Sequence, residues 1–93
     1  MADQNDVMRY YREKIQSIEA QIRNIDAHLR ELDDFEARVM RENLPNEYKQ
    51  SLHSTLAKAK NDASIVKQKA IATAGSLKAR IHAFMQNPKG DKR

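Results

Sequence analysis

The fold of this chain is decided by residues 8–32, which read MRYYREKIQSIEAQIRNIDAHLREL. Apolar side chains recur in this stretch at alternating steps of three and four residues. Such spacing places one narrow apolar stripe along a helix and is typical of helices that pack as coiled coils. The stripe, called the first seam below, consists of Met8, Tyr11, Ile15, Ile18, Ile22, Ile25, Leu29 and Leu32.

The composition favours a few long helices. The chain has 93 residues, which is one domain at most, and it contains only two Gly and two Pro. Charged residues make up 32% and aromatic residues 5%, a balance typical of long helices and coiled coils. Because a chain this small buries a low fraction of its surface, we expect that its folded state needs a partner to be sufficiently stable.

Proline and capping residues divide the sequence into two helices. Pro45 disfavours helical geometry in Leu44, and Asp6 and Asn46 are predicted to cap the two helix starts. The predicted segments are a disordered tail at 1–5, a helical hairpin at 6–86 and a basic flexible tail at 87–93, with helix one over about 6–43, a turn at 44–46 and helix two over about 47–86.

The second helix carries a seam of its own. Its predicted members are Leu52, Leu56, Ala59, Ala63, Val66, Ala70, Thr73, Leu77, Ile81 and Phe84. Folding the chain back at the proline pairs Tyr11 with Ile81, Ile25 with Val66, and Phe35 with Leu56. The predicted fold is therefore all-α: an antiparallel two-helix coiled-coil hairpin that assembles into a helical bundle with itself or a partner. A dimer that exchanges arms at the proline would make the same contacts between chains.

Charged residues support this pairing. Glu19, Asp26 and Asp33 recur every seven residues along one edge of the first seam. Basic residues flank the second seam, with Lys58, Lys69 and Arg80 on one side and Lys49, Lys60, Lys67 and Lys78 on the other. One basic flank can lie beside the acidic edge, as charges do in coiled coils. Solvated helix faces explain most of these charges equally well, because surface ion pairs contribute little to stability.

The side of the second helix that faces away from its seam carries uncharged and mostly small residues. Gly75 is unexpected there, because glycine inside a helix costs about 1 kcal/mol relative to alanine. We predict that this ridge receives another helix, and that the ends rich in Tyr10, Tyr11, Phe84 and Met85 add contacts. The predicted partner-binding residues are Ile65, Gln68, Ala72, Gly75, Ala79, Ala83, Tyr10 and Met85. The alternative is an Ala-rich surface that reflects helix propensity alone.

The sequence carries no catalytic constellation. It has no cysteine, and His28, His53 and His82 are too widely spaced along the helices to share a metal ion within one chain. Phosphate-binding loops and nucleophile motifs are also missing. We therefore predict no enzymatic activity, no cofactor, no metal and no small-molecule substrate. No apolar run is long enough to span a membrane, and we expect a cytoplasmic protein without membrane contacts.

These observations predict a non-enzymatic protein-binding module: an adaptor, a small chaperone or an assembly subunit. The alternative is a small basic hairpin that binds RNA or DNA, because the net charge is +4 and no acidic residue occurs between Ala63 and Gly90. The residues predicted to contact nucleic acid in that case are Lys60, Lys67, Lys69, Lys78 and Arg80.

Overall fold

The computed structural model describes residues 4–86, which form two α-helices. Helix α1 spans Gln4–Met40 and helix α2 spans Asn46–Gln86, with lengths of 37 and 41 residues. Within residues 4–86 there is no β-strand. The predicted all-α helical hairpin is therefore confirmed.

The start of α1 differs from the prediction. The helix begins at Gln4, so residues 4 and 5 are helical and Asp6 lies inside the first turn instead of capping it. Asp6 accepts a hydrogen bond from the guanidinium of Arg9 at 3.1 Å, one helical turn away. Its negative charge near a helix N-terminus is favourable. The rest of the predicted tails, residues 1–3 and 87–93, lies outside the described residues.

Helix α1 ends at Met40, about three residues before the predicted position. The N–H of Arg41 donates to the carbonyl of Arg38 at 3.2 Å, and the N–H of Glu42 donates to that of Val39 at 3.0 Å. These bonds span three residues instead of four, which is the tightened geometry common at helix ends. They give partners to two of the last carbonyls of α1.

Helix α2 begins with Pro45 as its cap. The carbonyl of Pro45 accepts the N–H of Lys49 at 3.1 Å, the first bond of the helical ladder. Asn46 is therefore the first helical residue and does not occupy the cap position predicted for it. The side chain of Lys49 also donates to the carbonyl of Met40 at 3.0 Å. A cation is thus bound at the C-terminus of α1, where the helix dipole favours it.

Contacts divide the chain into two compact units. The turn unit is Arg23–Gln68. The terminal unit combines the two ends of the chain, and its described residues are 4–22 and 69–86. In each unit a segment of α1 packs beside a segment of α2.

The core of the terminal unit follows the first seam. Met8, Ile15 and Ile18 are buried on α1, as predicted. On α2 the most buried residue is Ala74, with 4% of its surface exposed. Its neighbour Thr73, which the prediction placed in the seam, is exposed, so that assignment is wrong.

The register of the terminal unit is defined by two aromatic rings. The ring centres of Tyr11 and Phe84 lie 6.0 Å apart at a tilt of 44°. Offset and tilted ring pairs of this kind are favourable. The predicted register pairs Tyr11 with Ile81, and the ring contact with Phe84 lies about one helical turn further along α2 than that predicted partner.

The turn unit has a thinner core. Leu56 is buried as predicted, with 6% of its surface exposed. Two other predicted seam residues are wrong: Val66 is 55% exposed and Phe35 is 48% exposed. The side chain of Glu36 lies at the interface where the prediction placed Phe35, and only 14% of it is exposed. The predicted pairs of Val66 with Ile25 and of Phe35 with Leu56 therefore do not describe this interface.

Candidate functional site

A cluster of charged side chains joins the two helices of the turn unit. The carboxylate of Glu36 on α1 is hydrogen-bonded by the imidazole of His53 and by the ammonium of Lys60, both on α2. Because an ionised carboxylate only accepts hydrogen bonds, Nδ1 of His53 donates to it. The cluster thus places a half-buried acid between two donors from the opposite helix.

Lys60 connects two acids of α1. Its Nζ lies 2.9 Å from Oδ1 of Asp33 and 3.0 Å from Oε1 of Glu36. Hydrogen bonds to Asp33 and Glu36 raise the pKa of Lys60 above its ordinary value. The bond from His53, followed by that from Lys60, lowers the pKa of Glu36. Both shifts favour the charged forms, as expected for mutual hydrogen bonding between ions.

The same edge of the turn unit holds a second ion pair. Nζ of Lys67 lies 2.6 Å from Oδ1 of Asp26. Since Asp26 precedes Asp33 while Lys67 follows Lys60, the two helix segments run antiparallel. The acidic edge therefore lies beside the basic flank that contains Lys60 and Lys67, which confirms the predicted pairing and selects one of the two flanks. We call this side of the turn unit the charged edge.

The terminal unit contains a related pair. Nζ of Lys78 lies 3.1 Å from Oε2 of Glu19. Within residues 4–86, Glu19 and Asp26 form ion pairs with α2 and not with Arg23 or Arg30, the bases four residues further along α1. Cross-helix pairs fix the rotation of one helix against the other, which pairs within one helix cannot do.

These ion pairs occupy most of the residues predicted to contact nucleic acid. Lys60, Lys67 and Lys78 each bind a carboxylate of α1. Lys69 and Arg80 are exposed, and within residues 4–86 neither forms an ion pair. The positive charge of this side of α2 is therefore largely neutralised by the chain itself.

The predicted partner-binding residues are all exposed. In the turn unit these are Ile65, at 45%, and Gln68. In the terminal unit they are Ala72, Gly75, Ala79, Ala83, Tyr10 and Met85, with Tyr10 at 59% and Met85 at 65%. A Cβ added to Gly75 would meet nothing within 4 Å. No contact among residues 4–86 therefore requires glycine at this position.

An open pocket of about 520 Å³ lies at the start of α2. Its lining residues are Met40, Asn46, Lys49, Gln50, His53 and Ser54. The two basic groups of the lining are already bound, Lys49 to the carbonyl of Met40 and His53 to Glu36. The pocket therefore presents no uncommitted acid or base to a ligand.

Residues 4–86 contain no group of three or more His, Cys, Asp or Glu side chains that could hold a metal ion. Neither helix, within the same range, is long and apolar enough to cross a membrane.

Comparison with protein-family models, with curated proteins and with solved structures finds no match to this chain.

The sequence did contain a signal for Glu36, one of the interface residues that the prediction missed. Counting in sevens from Met8 leads through Ile15, Ile22 and Leu29 to Glu36. A strict heptad repeat therefore places Glu36 in the interface, whereas a preference for apolar residues selects Phe35 beside it. The charge of Glu36 is accommodated because His53 and Lys60 meet it from α2.

Proposed function

We propose that this chain is a non-enzymatic protein-binding helical module of the cytoplasm, which works as an adaptor, a small chaperone or an assembly subunit. It acts through coiled-coil and helix-bundle contacts with a protein partner or with further copies of itself. It uses no cofactor and no small-molecule substrate.

One observation carries this proposal: the described residues include more exposed large apolar side chains than buried ones. Only Met8, Ile15, Ile18, Leu56 and Ala74 are buried hydrophobic residues in the described chain. In contrast, Tyr10, Phe35, Leu44, Tyr48, Ile65, Val66, Ile71 and Met85 are between 37% and 65% exposed. Exposed apolar side chains on helical surfaces are typical anchors of protein partners.

The polar groups also favour a binding role over catalysis. General acids and bases need a free proton-transfer atom that faces a substrate site. Glu36, His53 and Lys60 instead bind one another across the two helices. We call this group of three side chains the electrostatic clasp. It holds α1 against α2, which favours a role of the chain as a scaffold.

Nucleic-acid binding is the weaker candidate. It requires several uncommitted basic side chains that can replace phosphate counterions. Three of the five residues assigned to this role are paired with acids, which leaves Lys69 and Arg80. An affinity for RNA or DNA that falls steeply with salt and is lost on reversing both charges would promote this candidate.

The test is affinity capture with a matched pair of variants. The purified chain is immobilised, bound proteins are identified by mass spectrometry, and each purified candidate is titrated against the chain. Gly75→Leu places a large side chain on the predicted ridge, whereas Ser17→Leu places the same side chain on an exposed position of α1. We expect a specific protein partner whose affinity falls at least about tenfold with Gly75→Leu and not with Ser17→Leu.

Two results would count against the proposal. If no protein binds above the level of empty resin at micromolar concentration, the chain is not a binding module of this kind. If a partner binds both variants equally, the ridge is not the binding surface, and the predicted roles of Gly75, Ala72 and Ala79 are wrong.

A further inference from the structure

In the turn unit, ion pairs cover one side of the interface between α1 and α2 and leave the other side uncovered. Lys60 and Lys67 close one side of the helix interface by binding Asp33 and Asp26. Ala59 and Val66 each precede one of these lysines, so they lie about 100° around α2 from it. They therefore face the opposite side of the interface, which no ion pair in residues 23–68 closes.

This opposite side carries a line of apolar residues, and we call that line the open edge. It consists of Leu52, Ala59 and Val66, which repeat every seven residues on α2, and of Phe35 on α1. Val66 is 55% exposed and Phe35 is 48% exposed, while Leu52 and Ala59 are half-buried. An apolar line beside the seam residues is typical of bundle helices, which contact more than one neighbour.

The open edge is self-complementary, which indicates the occupant. Ala59 lies midway between two larger apolar residues, Leu52 and Val66, at equal spacing. An antiparallel two-fold pairing centred on Ala59 sets Val66 of each copy against Leu52 of the other, with alanines at the point of closest approach. On the rim, Asp62 of each copy then approaches Lys58 of the other, so opposite charges meet.

We propose that the open edge binds the open edge of a second copy of this chain, which forms an antiparallel four-helix assembly across a two-fold axis near Ala59. This inference rests on the proposed protein-binding function and names the partner for one surface. Helix α2 then faces α1 through Leu56 and the charged edge, and faces its copy through Leu52, Ala59 and Val66.

Cysteine cross-linking tests the geometry directly, because the chain has no cysteine of its own. In Ala59→Cys, the two thiols face each other at the axis, and addition of diamide is expected to give a disulfide-linked dimer rapidly. Asn61→Cys, an exposed position on the far side of α2, is expected to cross-link only at the slow rate of random collision. Equal rates for the two variants would overturn the axis at Ala59.

Sedimentation across a concentration series tests the apolar contact. Val66→Lys is expected to raise the dimer dissociation constant at least about tenfold, while Asn61→Lys, on the exposed far side of α2, leaves it unchanged. Both variants are read beside circular dichroism, since Val66 is exposed and its replacement should not unfold the chain. Dimerisation that is insensitive to Val66→Lys overturns the inference.

The two proposals fail in different ways. A wild-type chain that is monomeric up to about 1 mM, yet binds a different protein, overturns the second-copy inference and leaves the proposed function standing. A chain that neither dimerises nor binds any protein overturns both. A heterologous helix that protects the thiol at position 59 overturns the choice of occupant.

Discussion

The ammonium of Lys60 lies 3.0 Å from the carboxylate of Glu36, and both side chains occupy the interface between α1 and α2 where apolar residues would be expected. Only 26% of the Lys60 side chain and 14% of the Glu36 side chain are exposed. An ion pair at this position favours this alignment of the two helices, because each partly buried charge would be unpaired without the residue on the opposite helix. The interface therefore combines apolar packing with an electrostatic clasp.

The clasp predicts a pH dependence of stability. Because the folded-state pKa of Glu36 is lowered, its contribution is fully present above the ordinary value of 4.5 and is lost as the pH falls through the folded-state pKa. We expect wild type to exceed Glu36→Gln in free energy of unfolding at neutral pH, and the difference to shrink below about pH 4.5. Urea unfolding followed by circular dichroism at several pH values measures it.

The matched control for this experiment is Glu31→Gln, which removes an exposed carboxylate from the same unit. Its effect at neutral pH should be smaller, because an exposed charge is solvated in both states. A difference between wild type and Glu36→Gln that stays constant down to acid pH would contradict the assigned role of Glu36.

The buried seam predicts a large effect at Ile18. This residue is 5% exposed in the terminal unit, so Ile18→Ala removes buried methyl groups and leaves a cavity. We expect a loss of about 2–4 kcal/mol in the free energy of unfolding. Ile65→Ala, at a position 45% exposed, should change it by less than about 0.5 kcal/mol. Similar losses for both variants would mean that the assigned core is wrong.

Lys49 bridges the turn between the two helices. Its side chain donates to the carbonyl of Met40 at 3.0 Å and places a positive charge at the end of α1. Lys49→Met keeps the aliphatic stem and removes the donor, so we expect a loss of about 0.5–1.5 kcal/mol in chemical unfolding. Gln50→Met, at the exposed neighbouring position, should be close to neutral. A neutral Lys49→Met would show that solvent replaces this bond without cost.

Substitution of Gly75 tests whether another helix packs on the surface around this residue. A Cβ at this position meets nothing within 4 Å in the part of the chain that the structure describes, so we expect Gly75→Ala to act through helix propensity. We expect the isolated chain to gain about 0.5–1 kcal/mol in free energy of unfolding. Thermal unfolding at low protein concentration measures the gain. Destabilisation would reveal that the backbone of another helix approaches Gly75 even under these conditions.

The sequence by itself determined the elements of this fold. The steps of three and four residues from Met8 to Leu32 require a helix with one buried stripe, and Pro45 separates it from a second helix. The seven-residue spacing of Asp26 and Asp33 also predicted which kind of side chain lies opposite them, since Lys60 and Lys67 share that spacing. Local periodicity and charge were sufficient for these conclusions.

Only the tertiary structure decided how α2 is rotated about its own axis. Val66 and Lys67 border the same central seam residues, so the apolar pattern is satisfied with either of them turned towards α1. The structure turns Lys67 inwards to Asp26 and leaves Val66 exposed, because ion pairs need atoms of both helices within about 3 Å of each other. This rotation of α2 depends on the positions of atoms in both helices, which the spacing of residues along the sequence does not determine.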